Sequence, residues 1–511
     1  MLILFITVGP AHAAPDPEKL YATHCLSCHA PNRLGGMGPA LLPESLARLK
    51  KPDAIKAIAD GLPATQMPGF KAVLQLDEIE ALAKWIYTPP TLPPKWDAQD
   101  IAASRIVNAD AVDLPAKPVF KADPMNVTLV VEHGDHHITV LDGDSMEPIT
   151  RFATRFALHG GPKFTPDGRF VYWASRDGWV TKYDLWNLKV VAEARVGINT
   201  RNVAVSSDGR YVMAANYLPH TLVALDARDL TLVKVIPVVG NTGKTSRVSA
   251  VYDARPRSSF IAALKDIPEV WEIPYDGRPV YKGLVHDHRL KEAIPEPGPL
   301  PVRHVVLDDY LDDFFFDQHY DYILGASRTS PKGQVIHLGA GRKIADLDLA
   351  GMPHLGSGIT WDWVDPEGKT HRVMASPNLK QGLISVIDMK AWKTIKTIPT
   401  LGAGFFLRSH ENSPYVWADV FFGAGKDTMH VIDKQTLEIV ANLTPMPGKT
   451  ATHVEFDRYG KYALVSIWEK DGALIVYDAK TLKEVKRLPM KRPVGKYNVW
   501  NKTRLSEGTS H

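Results

Sequence analysis

The sequence predicts a small all-α domain followed by an all-β propeller of eight blades. Two observations carry this. Apolar residues recur at helical spacing up to about residue 88, and from about 125 short strand-like runs with turn signals recur every 40–50 residues or so, the period of propeller blades. In the first region Pro17–Tyr21 opens a helix, Asp53–Asp60 is a short amphipathic piece, and Leu76–Tyr87 places Ile79, Leu82, Ala83 and Ile86 on one face. Thr88–Pro94 holds four prolines, which remove donors and clash with a preceding turn, so the helical domain is expected to span 15–94. Residues 95–124 read as a linker.

From 125 to 505 the repeats are explicit. Phe164–Tyr172 (FTPDGRFVY) resembles Val205–Met213 (VSSDGRYVM), and both resemble Phe456–Leu464 (FDRYGKYAL). Eight units are expected to begin near 125, 165, 206, 252, 317, 371, 412 and 457. A blade cannot bury both faces alone, so neighbours must stack about an axis. An open array of separate sandwiches is the alternative, and the regular spacing disfavours it.

The 511 residues carry a formal net charge of +3 and 45% hydrophobic residues, ordinary for a globular chain. No basic stripe is interleaved with aromatics, so a nucleic-acid partner is not expected. Leu2–Val8 is an apolar run followed by small residues at Ala11–Ala14, which reads as a signal peptide over 1–14, although no charged leader precedes it. The alternative there is a buried strand. No later apolar stretch reaches the ~20 residues needed to span a bilayer, so the mature chain is expected to be soluble and exported.

Both cysteines lie in Cys25-Leu26-Ser27-Cys28-His29. Two thiols separated by two residues sit on one turn and can form thioethers to haem vinyl groups, with the next histidine set to ligate iron. A redox or zinc pair is the alternative, weakened by the lack of a second cysteine pair. The helical region is therefore expected to be a cytochrome c domain holding one covalent haem c on Cys25 and Cys28, with His29 as iron ligand. Met67, in Gln66-Met67-Pro68, is the expected sixth ligand, and Met37 is its competitor. Such a domain carries single electrons, so the propeller must host the chemistry.

A cytochrome c domain ahead of an eight-bladed propeller resembles the cytochrome cd1 family, over about residues 20–500. Arg155-Phe156-Ala157-Leu158-His159 resembles the segment bearing the proximal haem d1 ligand, which implies His159 as a metal ligand. Ser175-Arg176-Asp177 and Gly197–Arg201 resemble segments whose arginines hold haem carboxylates, which suits the bidentate guanidinium fork. Arg155, Arg176, Arg201 and His354, in Met352–Gly356, are thus implied to bind the macrocycle. Read without the resemblance, His159 is as readily a core histidine, and the arginines are surface turn residues.

The family's nitrite reductases carry two distal histidines, and only His354 is recognisable here. Asp312, in the acidic run Asp308–Asp313, aligns closest to the other. Elsewhere the chain resembles the family's periplasmic maturation branch, which oxidises a propionate side chain of dihydro-haem d1 to the acrylate of haem d1. That resemblance implies His453 and Tyr497 as the catalytic pair. An imidazole near neutral pKa can accept a proton, and a phenol can hydrogen-bond or relay another. The implied partners are the tetrapyrrole, a periplasmic electron acceptor and the apo form of the cd1 nitrite reductase. Nitrite reduction to nitric oxide and a non-enzymatic haem d1 carrier are the alternatives.

Overall fold

The structure is a computed structural model that describes residues 14–36, 38–47, 49–62, 67–108, 113–282, 294–326, 332–349 and 351–504. Residues 1–13 of the expected signal peptide, together with Met37 and Gln66, lie outside the described residues. The chain forms two compact units, Met1–Pro94 and Lys95–His511. Among the described residues no helix is long and apolar enough to cross a membrane.

The first unit is helical. Pro17–His24 starts where the Asp16 carboxylate accepts the Glu18 and Lys19 amides at 3.1 and 3.2 Å, satisfying donors that a helix start leaves unpaired. Leu76–Ile86 begins with the Glu78 carboxylate accepting the Gln75 amide at 2.8 Å. It buries Ile79, Leu82, Ala83 and Ile86, the face expected from spacing. Tyr21 and Leu74 share a core with Ile79 and Leu82. Each such aliphatic side chain contributes roughly 1.5–3 kcal/mol when fully buried.

In the second unit eight antiparallel sheets form the blades of a propeller. The first blade joins Val127–Glu132, His137–Asp142 and Pro148–Ala153 to the C-terminal strand Pro493–Asn498, so the two ends of the unit are sewn into one sheet and the ring closes. The next seven begin with Leu158–Phe164, Asn199–Val205, Val248–Ala254, Asp313–Phe316, Ile359–Val364, Leu407–Arg408 and Ala451–Phe456. Each apolar cluster of the unit is shared by two successive blades. One joins the second and third, another the seventh and eighth, and one the eighth and first. Cores between sheets, rather than within them, are what oblige the blades to stack.

The repeated phrases at Thr165–Arg169, Ser206–Arg210 and Asp457–Lys461 mark the hairpin after a first strand, so those blades start one strand earlier than expected, whereas the expected start near 252 falls within the first strand Val248–Ala254. In Thr165–Arg169 the Asp167 carboxylate accepts from the Thr165 hydroxyl and the Arg169 amide, and Gly168 takes φ +72°. Ser206, Asp208 and Gly209 repeat that turn. The segment 95–124 is more than a linker. Ile106–Val107 pairs with Lys189–Arg195 as a fifth strand of the second blade. Helix Ala98–Ser104 buries Ile101 in the core between the second and third blades, and the Trp96 indole donates to the Arg195 carbonyl at 2.9 Å.

Candidate active site

In the helical unit the thiols lie on one turn, Cys28 N donating to Cys25 O at 3.2 Å and His29 N to the same carbonyl at 2.9 Å. His29 is buried, with Nδ1 2.7 Å from the Pro39 carbonyl. That contact makes Nδ1 the protonated nitrogen and leaves the Nε2 lone pair for a metal, the arrangement usual for ligating histidines. Gly38 packs so closely that an added Cβ would lie 2.8 Å from the ring. Cys25, Cys28 and His29 therefore fit a covalent haem. Met67 is half-buried, its carbonyl accepting from Leu62 N at 3.1 Å.

His159 lies on the first strand of the second blade, where the pairing slips between His159 and Lys163. Gly160 and Gly161 carry the slip at φ +80° and +71°, and a Cβ on Gly161 would come 2.6 Å from the Tyr497 ring. Only glycine permits that approach. His159 Nδ1 is 2.7 Å from the Arg201 carbonyl, and the Arg201 guanidinium lies against Nε2. Burial, then the Arg201 and Arg176 charges, hold this imidazole well below its ordinary pKa, so it is neutral. Arg176 lies 5.9 Å from the centre of the Tyr217 ring. Arg155 is not gathered here. Its fork is occupied by Glu193 at 3.0 and 2.6 Å, and it stacks 4.1 Å from Trp179.

On the other flank of the first blade, at the start of the eighth, His453 sits in a bulge of Ala451–Phe456, with φ +49° and a register shift between Thr452 and Val454. Lys496 Nζ donates to the His453 carbonyl, and also to Ser466 Oγ at 2.7 Å. The imidazole is flanked by Phe406 at 4.6 Å and Tyr497 at 5.9 Å between ring centres. His453 Nδ1 is buried without a hydrogen-bond partner among the described residues. Leaving such an atom unpaired costs about 1–3 kcal/mol, which a ligand contact there would offset. Tyr497, on the closing strand, has its phenol pushed up to about 12 by burial and stays protonated near neutrality.

Behind this pair is an ionic cluster that sequence reading missed. Glu455 is fully buried, 3.7 Å from Arg408 and 3.6 Å from Lys502. Burial, then repulsion from Arg408, lowers Lys502 to about 7, and the same causes lower Lys163 to about 8. Four separate stretches of chain supply these groups, and no local spacing announces them. The glycine pair after His159 was a legible signal, because glycine inside a strand marks a bulge or a close backbone approach.

His354 Nδ1 is 2.8 Å from the Phe405 carbonyl, and Nε2 is 3.4 Å from Asp313. Its ring packs on Phe405 at 4.5 Å, so His354 and His453 contact adjacent phenylalanines. The acidic run is largely paired: Asp308 meets Lys343 at 2.8 Å, Asp312 meets Lys265, and Asp313 faces His354.

His453 is held well below 6.5 by burial, then by Lys496, Arg408 and Lys502. A base with a lowered pKa stays unprotonated, and competent, as pH falls through 6.5. A pH–rate profile of kcat is expected to decline only below that value. Lys502 is charged in that range, so Lys502→Met removes a repelling cation and moves the decline upward. A wild-type acid limb at or above 6.5 would contradict this.

Comparison with known proteins adds the following. The cytochrome D1 heme domain matches residues 122–289 and 295–502. Residues 12–86 match the model for subunit III of cbb3-type cytochrome c oxidase. The chain is 55% identical to the dihydro-heme d1 dehydrogenase of Pseudomonas aeruginosa, covering 100% of this chain and 98% of that one. It is 25% identical to the nitrite reductase of Stutzerimonas stutzeri, covering 96% and 94%. A solved structure, the dihydro-heme d1 dehydrogenase NirN in complex with DHE, superposes with a TM-score of 0.88 at 54% identity, covering 96% of this chain and all of that one.

Proposed function

The chain belongs to the cytochrome D1 heme domain family, and from that premise we propose that it is a dihydro-haem d1 dehydrogenase that converts a propionate side chain of its substrate to an acrylate. One observation carries the reading: in a chain 55% identical throughout to such an enzyme, a buried imidazole with an unpartnered nitrogen has its ring centre 5.9 Å from that of a half-buried phenol.

Turning CH2–CH2 into CH=CH breaks two C–H bonds and releases two protons and two electrons. His453, neutral because its surroundings repel a proton, accepts one proton. Tyr497, protonated at rest, hydrogen-bonds the reacting side chain and passes the second proton on. Arg176 and Arg201 hold carboxylates of the macrocycle, and His159 or His354 meets its iron. Arg155 pairs with Glu193 and stacks on Trp179, and so is assigned no contact with the macrocycle. Cys25, Cys28, His29 and Met67 would hold haem c, which would supply one-electron transfer. The electrons leave to a periplasmic acceptor, and the product passes to the apo form of the cd1 nitrite reductase.

Nitrite reduction fits less well. Asp312, the residue aligned closest to the second distal histidine, is a carboxylate ion-paired with Lys265. The test is to incubate the purified full chain with the precursor macrocycle and an electron acceptor while recording absorption spectra. Conversion to haem d1 is expected. No conversion with haem c intact and oxidant present would overturn the reading. Nitrite turnover by haem d1-loaded protein would replace it with the reductase, and transfer without redox change would replace it with the carrier.

A further inference from the structure

Asp419 ends the second strand of the seventh blade and is buried. One carboxylate oxygen accepts the amides of Phe405 and Phe406 at 2.7 and 3.0 Å. The other accepts the Thr452 hydroxyl at 2.5 Å and the His453 amide at 3.3 Å. The four donors come from two blades. The first pair fixes the turn whose Phe405 carbonyl lies 2.8 Å from His354 Nδ1. The second pair fixes the bulge that holds His453 at φ +49°. Between the two arms Phe406 packs 6.2 Å from His354 and 4.6 Å from His453.

We propose that Asp419 is a positioning residue that sets His354 and His453 together, so that the group facing the macrocycle and the group receiving the proton keep one fixed relation. This rests on the reading of His453 as proton acceptor. A carboxylate suits the site because three of the four contacts are amide N–H groups that can only donate, the fourth is a hydroxyl that donates here, and an ionised carboxylate offers only acceptors. An asparagine of the same shape must turn its NH2 either toward the Phe405 and Phe406 amides, releasing that turn, or toward Thr452 and the His453 amide, where the hydroxyl can accept but the amide loses its partner and the bulge is released. Released groups drift, and a misplacement near 1 Å can cost on the order of 100-fold in rate. The Thr452 hydroxyl offers a second, milder probe of the His453 arm alone.

The test uses the full chain carrying haem c, with the precursor macrocycle as substrate. Asp419→Asn is expected to lower kcat about 100-fold with KM changed less than about twofold. Release of the Phe405–Phe406 turn also alters the absorption spectrum of the bound macrocycle through His354, whereas release of the His453 bulge lowers kcat alone. Thr452→Val should lower kcat and leave that spectrum unchanged, and Thr452→Ser should restore the wild-type rate. Circular dichroism melting shows whether each variant is folded. Wild-type kcat in folded Asp419→Asn, or equal rates for the valine and serine variants, would overturn the role of Asp419 while leaving the enzyme reading intact. A wild-type chain that cannot convert the precursor overturns both.

Discussion

His453→Asn is expected to lower kcat by about 10²–10⁴-fold, the usual worth of a positioned general base, while the macrocycle still binds. The choice of asparagine follows from the backbone. His453 has φ +49°, a left-handed conformation that asparagine tolerates better than other side chains with a Cβ. The variant keeps the bulge, the amide contact to Asp419 and the carbonyl contact to Lys496, which do not involve the imidazole. It removes the one atom that can take a proton and nothing that the arginines use. Alanine would leave a gap between Phe406 and Tyr497 and add backbone strain, confusing loss of a base with loss of shape. Stopped-flow and steady-state rates, beside a spectral titration of the macrocycle, separate the two quantities. A kcat within about threefold of wild type would show that another group removes the proton.

How much of this was legible depends on what kind of information each feature uses. The propeller was readable because its hairpins are local. A hydroxyl, an aspartate and a glycine within five residues make the turn at Thr165–Arg169, and chain chemistry repeats it. The phase of the blades was not readable, because the first strand precedes the repeated phrase and has no fixed residues of its own. The contribution of 95–124 was missed for a related reason: a two-strand-residue pairing at Ile106–Val107 and one buried isoleucine are too short to give a period. The haem attachment was legible in five consecutive residues. The propeller site was not. Nothing in spacing brings His159 to Arg201 or His453 to Tyr497, and resemblance alone suggested them. Arg155 shows the converse. Near the others in sequence, it is claimed by Glu193 in an outer strand. The cluster of Lys163, Arg408, Glu455 and Lys502 is hardest of all, since charged residues are ordinarily exposed and composition reads them that way.

Replacing Cys25 and Cys28 together by serine is expected to abolish sustained turnover while leaving the macrocycle's saturation curve unchanged. Serine cannot form the thioethers, so a denaturing gel stained for haem should show no covalent band. His29 alone, though its Nδ1 contact to Pro39 persists, leaves the cofactor without its anchor. The propeller is a separate compact unit with its own cores between blades, and residues of that unit alone supply His159, Arg201, His453 and Tyr497. Substrate binding therefore has no reason to depend on the two thiols. What fails is the removal of two electrons from the side chain: proton acceptance by His453 goes no further unless the charge left behind is carried off. Wild-type steady-state rates in the double variant, with the same acceptor and no covalent haem on the gel, would mean that electrons reach the acceptor from the propeller without passing through the helical unit.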